Sequence, residues 1–293
     1  MWLLVLNQSA GKGDGLSRLV KFESICQVNN IAFQRVSEID AEATQDRIKT
    51  ALLGGSISVV VAFGGDGLVS LCLQAVAMKQ IGLMVVPTGT GNDFARGIGV
   101  FGKSEQEIFD LITKSQARQI DGAKAKCLSG ERWYLQIMST GFDAQVNALA
   151  NQIKWPRGRA RYTIAMLIIL AKFKPIEYEI IFNDEKRIVS AMLALVANGV
   201  TYGGGMRISP NSSYEDGVLD LIYIEPVSRV TLLSIFPKVF TGSHINHPKV
   251  KILRSNQFSM IARTRAYADG ELVGDLPVNV QVIPKAVTTW VLR

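Results

Sequence analysis

Cysteine is scarce. The 293 residues contain three, Cys26, Cys72 and Cys127, far apart and odd in number. That excludes a disulfide framework and a CxxC metal site, and points to a reducing, cytoplasmic compartment. Histidine is scarcer, with only His244 and His247. Their HxxH spacing has no third ligand nearby, which argues against zinc, and no GxSxG turn marks a hydrolase triad. No GxxxxGK[ST] loop is present. No apolar run is long enough to span a bilayer: YTIAMLIILAKF, Tyr162 to Phe173, reaches roughly half the required length. The opening MWLLVLNQSAG lacks a basic leader and turns to glycine early, so it reads as a strand rather than a signal peptide.

Acid is missing from two long stretches. Ala144 to Ile176 carries Lys154, Arg157, Arg159, Arg161, Lys172 and Lys174 without an acid, and Val227 to Ala268 carries Arg229, Lys238, Lys249, Lys251, Arg254, Arg263 and Arg265 likewise. The net charge of +7 therefore belongs to the second half. These arginines are not interleaved with stacking aromatics, so nucleic acid is not the expected partner. Basic residues beside the apolar run at 162–173 suit a peripheral element, residues 154–174, lying on the inner membrane face; a core helix with solvated ends fits equally.

What is present first is alternation. Short continuous apolar runs at 2–7, 59–63 and 82–87 read as buried parallel strands, with helix-length segments between them. On the segment from Gly67, the residues Leu68, Val69, Cys72, Ala75 and Val76 share one face. After about residue 121 the texture changes to period-two strands: WYLQIMS, SAMLALVAN, VLDLIYI and VNVQVIP. The fold class expected is an α/β nucleotide-binding domain plus a β-rich antiparallel second domain, with the active site in the interdomain cleft. The expected boundaries are 1–121 with a returning strand at 285–293, and 122–284. Residues 228–240 read as a helix.

Three glycine-bearing loops follow the first three apolar strands: NQSAGKGDG at 7–15, GGDG at 64–67 and PTGTGNDFAR at 87–96. Such loops bring backbone N–H groups up to phosphates, with Lys12 as a point charge. Asp66 is the puzzle, since an anion there repels a phosphate unless a cation intervenes. Asn92 and Asp93 suit helix capping as well as ligand binding. In ADGE, Asp269 and Glu271 share a side if the chain is extended, whereas Gly270 equally permits an exposed turn.

GGDG with PTGTGNDFAR, then NGVTYGGGMRISPNSSYEDGVLD at 198–220 and ADGE at 268–271, resembles in order and distance the diacylglycerol kinase catalytic family, soluble lipid kinases related to sphingosine and ceramide kinases. GGDG alone would equally admit NAD kinases and phosphofructokinases; the later motifs favour lipid kinases.

The resemblance implies an ATP- and Mg2+-dependent kinase of a diacylglycerol-like lipid at a membrane surface. Gly64, Gly65, Asp66, Gly67, Leu68, Val69 and Ser70 would wrap the phosphates, completed by Thr90, Asn92, Asn7, Ser9, Lys12 and Ser37. Asp66 would meet the phosphates through magnesium. Asp269 would be the general base and Glu271 its helper. A structural magnesium would be held by Asp216 and the carbonyls of Ser213 and Val218, where the residues alone equally suggest an Asp-Gly turn. The chain departs from the family pattern at Leu68, at Ser70-Leu71 and at Gln8. An NAD kinase, or a non-catalytic nucleotide- or membrane-binding protein, are the alternatives. The sequence leaves oligomeric state open, a homodimer included.

Overall fold

In a computed structural model, the structure describes residues 1–7, 14–141, 145–146, 149–150, 152–153, 155, 161, 164–166, 168–169 and 174–292. The chain forms two compact units, Met1–Gly122 with Pro284–Arg293, and Ala123–Ile283.

In the first unit, continuous apolar runs become a parallel sheet because both faces are covered. Strands β1 (Trp2–Asn7), β2 (Phe33–Glu38), β3 (Val59–Gly64) and β4 (Gly82–Pro87) lie in the order β2-β1-β3-β4. Every residue of β3 and β4 is buried. Between and after them come α1 (Asp14–Val28), α2 (Ala41–Leu53), α3 (Asp66–Val76), α4 (Asp93–Gly97) and α5 (Glu105–Lys114). Helix α1 packs on α5, and α2 on α3. The shared face expected of α3 is buried as a whole, Leu68, Val69, Cys72, Ala75 and Val76 included. The parallel registers Leu6↔Phe63 and Phe63↔Val86 bring the carboxyl ends of three strands level, which is where such sheets gather ligands.

This sheet is finished by a distant segment. Thr288 pairs with Gly82, the Thr289 hydroxyl donates to the Leu83 carbonyl at 2.6 Å, and the Trp290 indole N–H reaches Ser115 O at 3.2 Å. A Cβ on Gly82 would stand 2.6 Å from the Trp290 ring, so the indole lies on bare backbone. Burial pushes the Cys26 and Cys72 thiols up to about 12, which leaves them inert core side chains.

The second unit is antiparallel. After β5 (Arg118–Cys127) come β6 (Gly130–Tyr134), β7 (Ile137–Gly141), β8 (Ile176–Phe182), β9 (Glu185–Ala191), β10 (Leu193–Ala197) and β11 (Leu219–Ile224). Helix α6 (Arg229–Val239) follows, capped by the Ser228 hydroxyl, which accepts from Thr231 N at 3.1 Å. Then come β12 (Val250–Ser255), β13 (Gln257–Ile261), β14 (Arg265–Ala268), β15 (Glu271–Asp275) and β16 (Val278–Thr289). A six-stranded sheet runs β12-β11-β10-β7-β14-β15. Its period-two side chains feed two cores. Met138, Val196 and Leu221 join Tyr134, Tyr178 and Phe258 on one face, whereas Ile137, Leu195, Ile222 and Ile224 face Val239 of α6 on the other.

Three strand readings are corrected. WYLQIMS breaks between Tyr134 and Ile137, and SAMLALVAN breaks at Met192, whose N–H goes to Ile224 O. VNVQVIP and TTWVLR share one strand, β16, which runs as far as Thr289. Side-chain alternation continues across such points because it reports faces, whereas a break reports a change of hydrogen-bonding partner.

The histidines serve the fold. His247 Nδ1 accepts from Lys249 N at 3.2 Å. His244 is fully buried beside α6, its Nε2 3.0 Å from Ile208 O. Burial lowers its pKa below 6.5, outweighing the nearby Ile208 and Lys238 carbonyls. The folded state thus keeps His244 neutral while the unfolded chain protonates it, so its stabilising contribution is full above pH 6.5 and is lost as pH falls through the lowered value. The thermal midpoint should drop between about pH 7 and 5 in the wild type, and that drop should shrink in His244→Gln, measured by differential scanning fluorimetry.

Candidate active site

Strand β3 runs straight into α3: Gly65 is its N-cap, and Gly65 O accepts from Leu68 N and Val69 N at 3.1 and 3.2 Å. The positive end of α3 therefore opens at Gly65-Asp66-Gly67, an arrangement that favours anions. The third loop lies against it. A Cβ on Gly89 would stand 2.5 Å from Gly65 Cα, so the two loops meet through bare backbone. Asn92, at φ +55°, folds back on this loop: its Oδ1 accepts from Gly89 N at 3.1 Å and its Nδ2 donates to Gly89 O at 2.7 Å. Its side chain thus shapes the loop and makes no cap bond.

The Asp66 carboxylate accepts from Phe94 N at 3.2 Å, in the first turn of α4. An anion in the GGDG loop thereby caps the helix that follows the next loop. Gly67 and Thr90 are exposed, whereas the side chains of Leu68, Val69 and Ser70 are buried. The departures at Leu68 and Ser70 therefore change packing under the loop. Ser37 lies on β2 opposite Leu6, and Asn7 closes β1. Ser9 and Lys12 lie outside the described residues, as does much of 154–174.

Arg18 carries no motif signal: it is one of two cations on the amphipathic α1. It donates from Nη1 to Pro87 O at 2.8 Å and from Nη2 to Lys103 O at 2.7 Å, and pairs with Glu105. It ties α1 to the start of the third loop. Burial acts to raise the Glu105 carboxyl, but the hydrogen bond and charge of Arg18 outweigh it and hold the group low.

In the second unit, Asp269 and Gly270 form the two-residue turn between β14 and β15, at φ +48° and +87°. Positive φ at both positions is the turn that matches strand twist, and aspartate followed by glycine suits it. The Asp269 carboxylate accepts three main-chain N–H groups, from Leu135 at 2.8 Å and from Gln136 and Ile137 at 3.0 Å. It clamps the break between β6 and β7. Glu271 is exposed, 4.0 Å from Arg132 Nη2.

The 198–220 motif converges on the same break. Asn198 N and Gly199 N both donate to Gln136 O, at 2.9 and 3.0 Å, and Asn198 Nδ2 donates to Leu135 O at 2.9 Å. Tyr214 accepts from Gln136 Nε2 at 2.5 Å. A Cβ on Gly199 would fall 2.1 Å from Gln136 Oε1, so any larger residue here would displace the Gln136 amide.

The Asp216 carboxylate of the expected magnesium set has partners within the protein. Asp216 Oδ1 accepts from Val218 N at 3.2 Å, and its Oδ2 takes Arg254 Nη2 at 2.6 Å, while Arg254 Nε reaches Asp220 at 3.0 Å. A divalent ion at this carboxylate would have to displace the exposed guanidinium. Among the described residues, no three acidic, histidine or cysteine side chains gather as metal ligands. The Asp-Gly turn is present, with Gly217 at φ +66°.

An α/β unit with glycine loops at its strand ends, followed by an antiparallel unit holding a clamped hairpin, defines a nucleotide-using phosphotransferase class. Residues 1–125 match the diacylglycerol kinase catalytic domain, and residues 136–291 match the YegS C-terminal NAD kinase β-sandwich-like domain. A diacylglycerol kinase of Mycobacterium tuberculosis is 35% identical over 84% of this chain and 81% of its own length. One from Bacillus subtilis is 25% identical over 75% of this chain and 73% of its own. A solved diacylglycerol kinase structure from Bacillus anthracis has the same fold, with a TM-score of 0.73, 18% identity and coverage of 99% of this chain and 96% of that one. The chain belongs to the diacylglycerol kinase catalytic family, and it is a kinase.

Because the loops touch at Gly89 and Gly65, Gly89→Ala should force them apart. We expect KM for ATP to rise about tenfold or more with kcat less affected, read from steady-state kinetics.

Proposed function

We propose that the protein transfers the γ-phosphoryl group of ATP to the hydroxyl of a diacylglycerol-like lipid. The observation that carries this is a cavity of about 90 Å³ in the second unit, between the six-stranded sheet and α6. Met166, Met192, Leu195, Met206, Ile224 and Phe236 are among its lining residues. Such a wall suits an acyl chain. A predominantly apolar wall favours a lipid chain over a soluble nucleotide as its occupant.

Transfer asks chiefly for alignment and charge neutralisation. The α3 N-terminus with Gly64 to Gly67, and Thr90 at the adjoining loop, receives the nucleotide phosphates, with Asn7, Ser9, Lys12 and Ser37 proposed to complete the site. Asp66 and Asn92 hold the two loops to the shape the phosphates need. Magnesium bound with ATP would neutralise phosphate charge, and Asp216 with the carbonyls of Ser213 and Val218 would hold a second, structural ion.

The roles within ADGE are reassigned. Three main-chain N–H donors already occupy the Asp269 carboxylate, which suits an anchor. We assign Asp269 to fixing the hairpin and the 135–137 segment, and exposed Glu271 to accepting the hydroxyl proton. Glu271→Gln should lower kcat on the order of 10²-fold or more and leave thermal stability unchanged. Asp269→Asn should instead lower the melting midpoint, since a buried donor loses its acceptor. The reverse pattern would restore Asp269 as the base.

The direct test is transfer of label from γ-labelled ATP into total lipid extract, with identification of the product. Label appearing on NAD in place of lipid would overturn the proposal. Leu195→Trp, which fills the cavity, should cut kcat/KM for long-chain acceptors by about tenfold while ATP binding, followed with a fluorescent analogue, persists.

A further inference from the structure

Helix α6 has two apolar faces, and only one is covered. Ile235 and Val239 are buried, and Leu232 and Phe236 line the cavity. On the other side Val230 is 77% exposed, Leu233 43% and Phe240, just past the helix end, 50%. With exposed Pro237 these residues recur at helical spacing and form one stripe in water. Two more exposed side chains, Ile164 and Ile168, lie one helical turn apart, and their neighbours Ala165, Met166 and Ile169 pack in a cluster that includes Phe236 of α6.

Two observations identify what covers this face. Leu233 is at once part of the exposed stripe and part of the cavity wall, so the surface is continuous with the cavity. The charges on α6 are of one sign, Arg229 in its first turn and Lys238 in its last, and the acid that precedes it, Glu225, is already paired with Lys249. A second copy of the chain would set these cations against their own symmetry mates, which disfavours a dimer through this face. An anionic lipid surface meets both requirements, taking apolar side chains at the headgroup boundary and cations on the headgroups.

We propose that the outer face of α6, Val230, Leu233 and Phe240 with Arg229 and Lys238, is a docking surface for an anionic bilayer. Docked there, the protein passes a lipid from the bilayer past Leu233 into the cavity without exposing acyl chain to water. The proposal rests on the lipid-acceptor reading. It moves the membrane contact from residues 154–174 alone to a helix whose inner face lines the cavity.

The test uses the double variant Val230→Glu and Phe240→Glu. Neither residue lines the cavity and both are exposed; an acid in place of Val230 suits the helix dipole, whereas one in place of Phe240 opposes it and removes the edge-to-face contact with Phe236. Full-length protein is sedimented with phosphatidylcholine vesicles, with and without phosphatidylglycerol, across salt concentration. Wild type should partition onto anionic vesicles, less so as salt rises, and the variant should bind about tenfold more weakly or worse. Both proteins should phosphorylate a short-chain diacylglycerol in neutral detergent micelles at rates within about twofold. Equal sedimentation of variant and wild type, or no vesicle binding by wild type, overturns the proposal, as does a wild-type dimer that the substitutions dissolve. If the double variant melts early, Val230→Glu alone is held to the same outcomes. Binding that depends on α6 in a protein that labels no lipid would sink the lipid-acceptor reading and leave docking standing.

Discussion

A carboxylate accepting main-chain N–H groups holds the chain at two of the places where the motifs lie. Asp66 takes one such donor from Phe94 and so joins two glycine loops; Asp269 takes three and pins the break between β6 and β7. Charged acceptors on backbone donors are stronger than neutral pairs, and they fix the main chain itself. Glycines alone would give loops that approach closely but wander. The acids make that freedom usable, and the anion in the phosphate loop has a main-chain partner at the neighbouring helix.

What was legible in the sequence was what burial writes into it. Strands covered on both faces are unbroken apolar runs, so β1, β3 and β4 lay open to view, as did the buried face of α3. The turn at Asp269-Gly270 was one of two readings, decided only by its paired strands. Partner changes at Gln136 and Met192 left no trace, because alternation survives them. Arg18 was invisible for a related reason: its acceptors are carbonyls of Pro87 and Lys103, and a carbonyl has no letter in the sequence.

The roles of motif residues proved more architectural than their spacing suggested. Asn198, Gly199 and Tyr214 converge on Gln136, and Asn92 closes on Gly89. At Asp216 the cation in contact is Arg254. A signature can thus mark scaffold as well as reacting groups; within ADGE, Asp269 is half-buried and hydrogen-bonded to main chain, whereas Glu271 is exposed.

The return of residues 284–292 to the first unit carries a consequence for biosynthesis. Thr288 and Thr289 bond to β4, the last of four parallel strands that all lie before residue 88, with the whole of Ala123–Ile283 between them in the chain. The second unit is contiguous and can close on itself as it leaves the ribosome. The nucleotide-loop unit cannot, because Gly82 waits for the indole of a residue made roughly 200 positions later. Until then its parallel sheet keeps an open edge at β4, the edge most prone to wrong partners. The nascent chain is therefore most in need of a chaperone while its first unit, made earliest, stands unfinished.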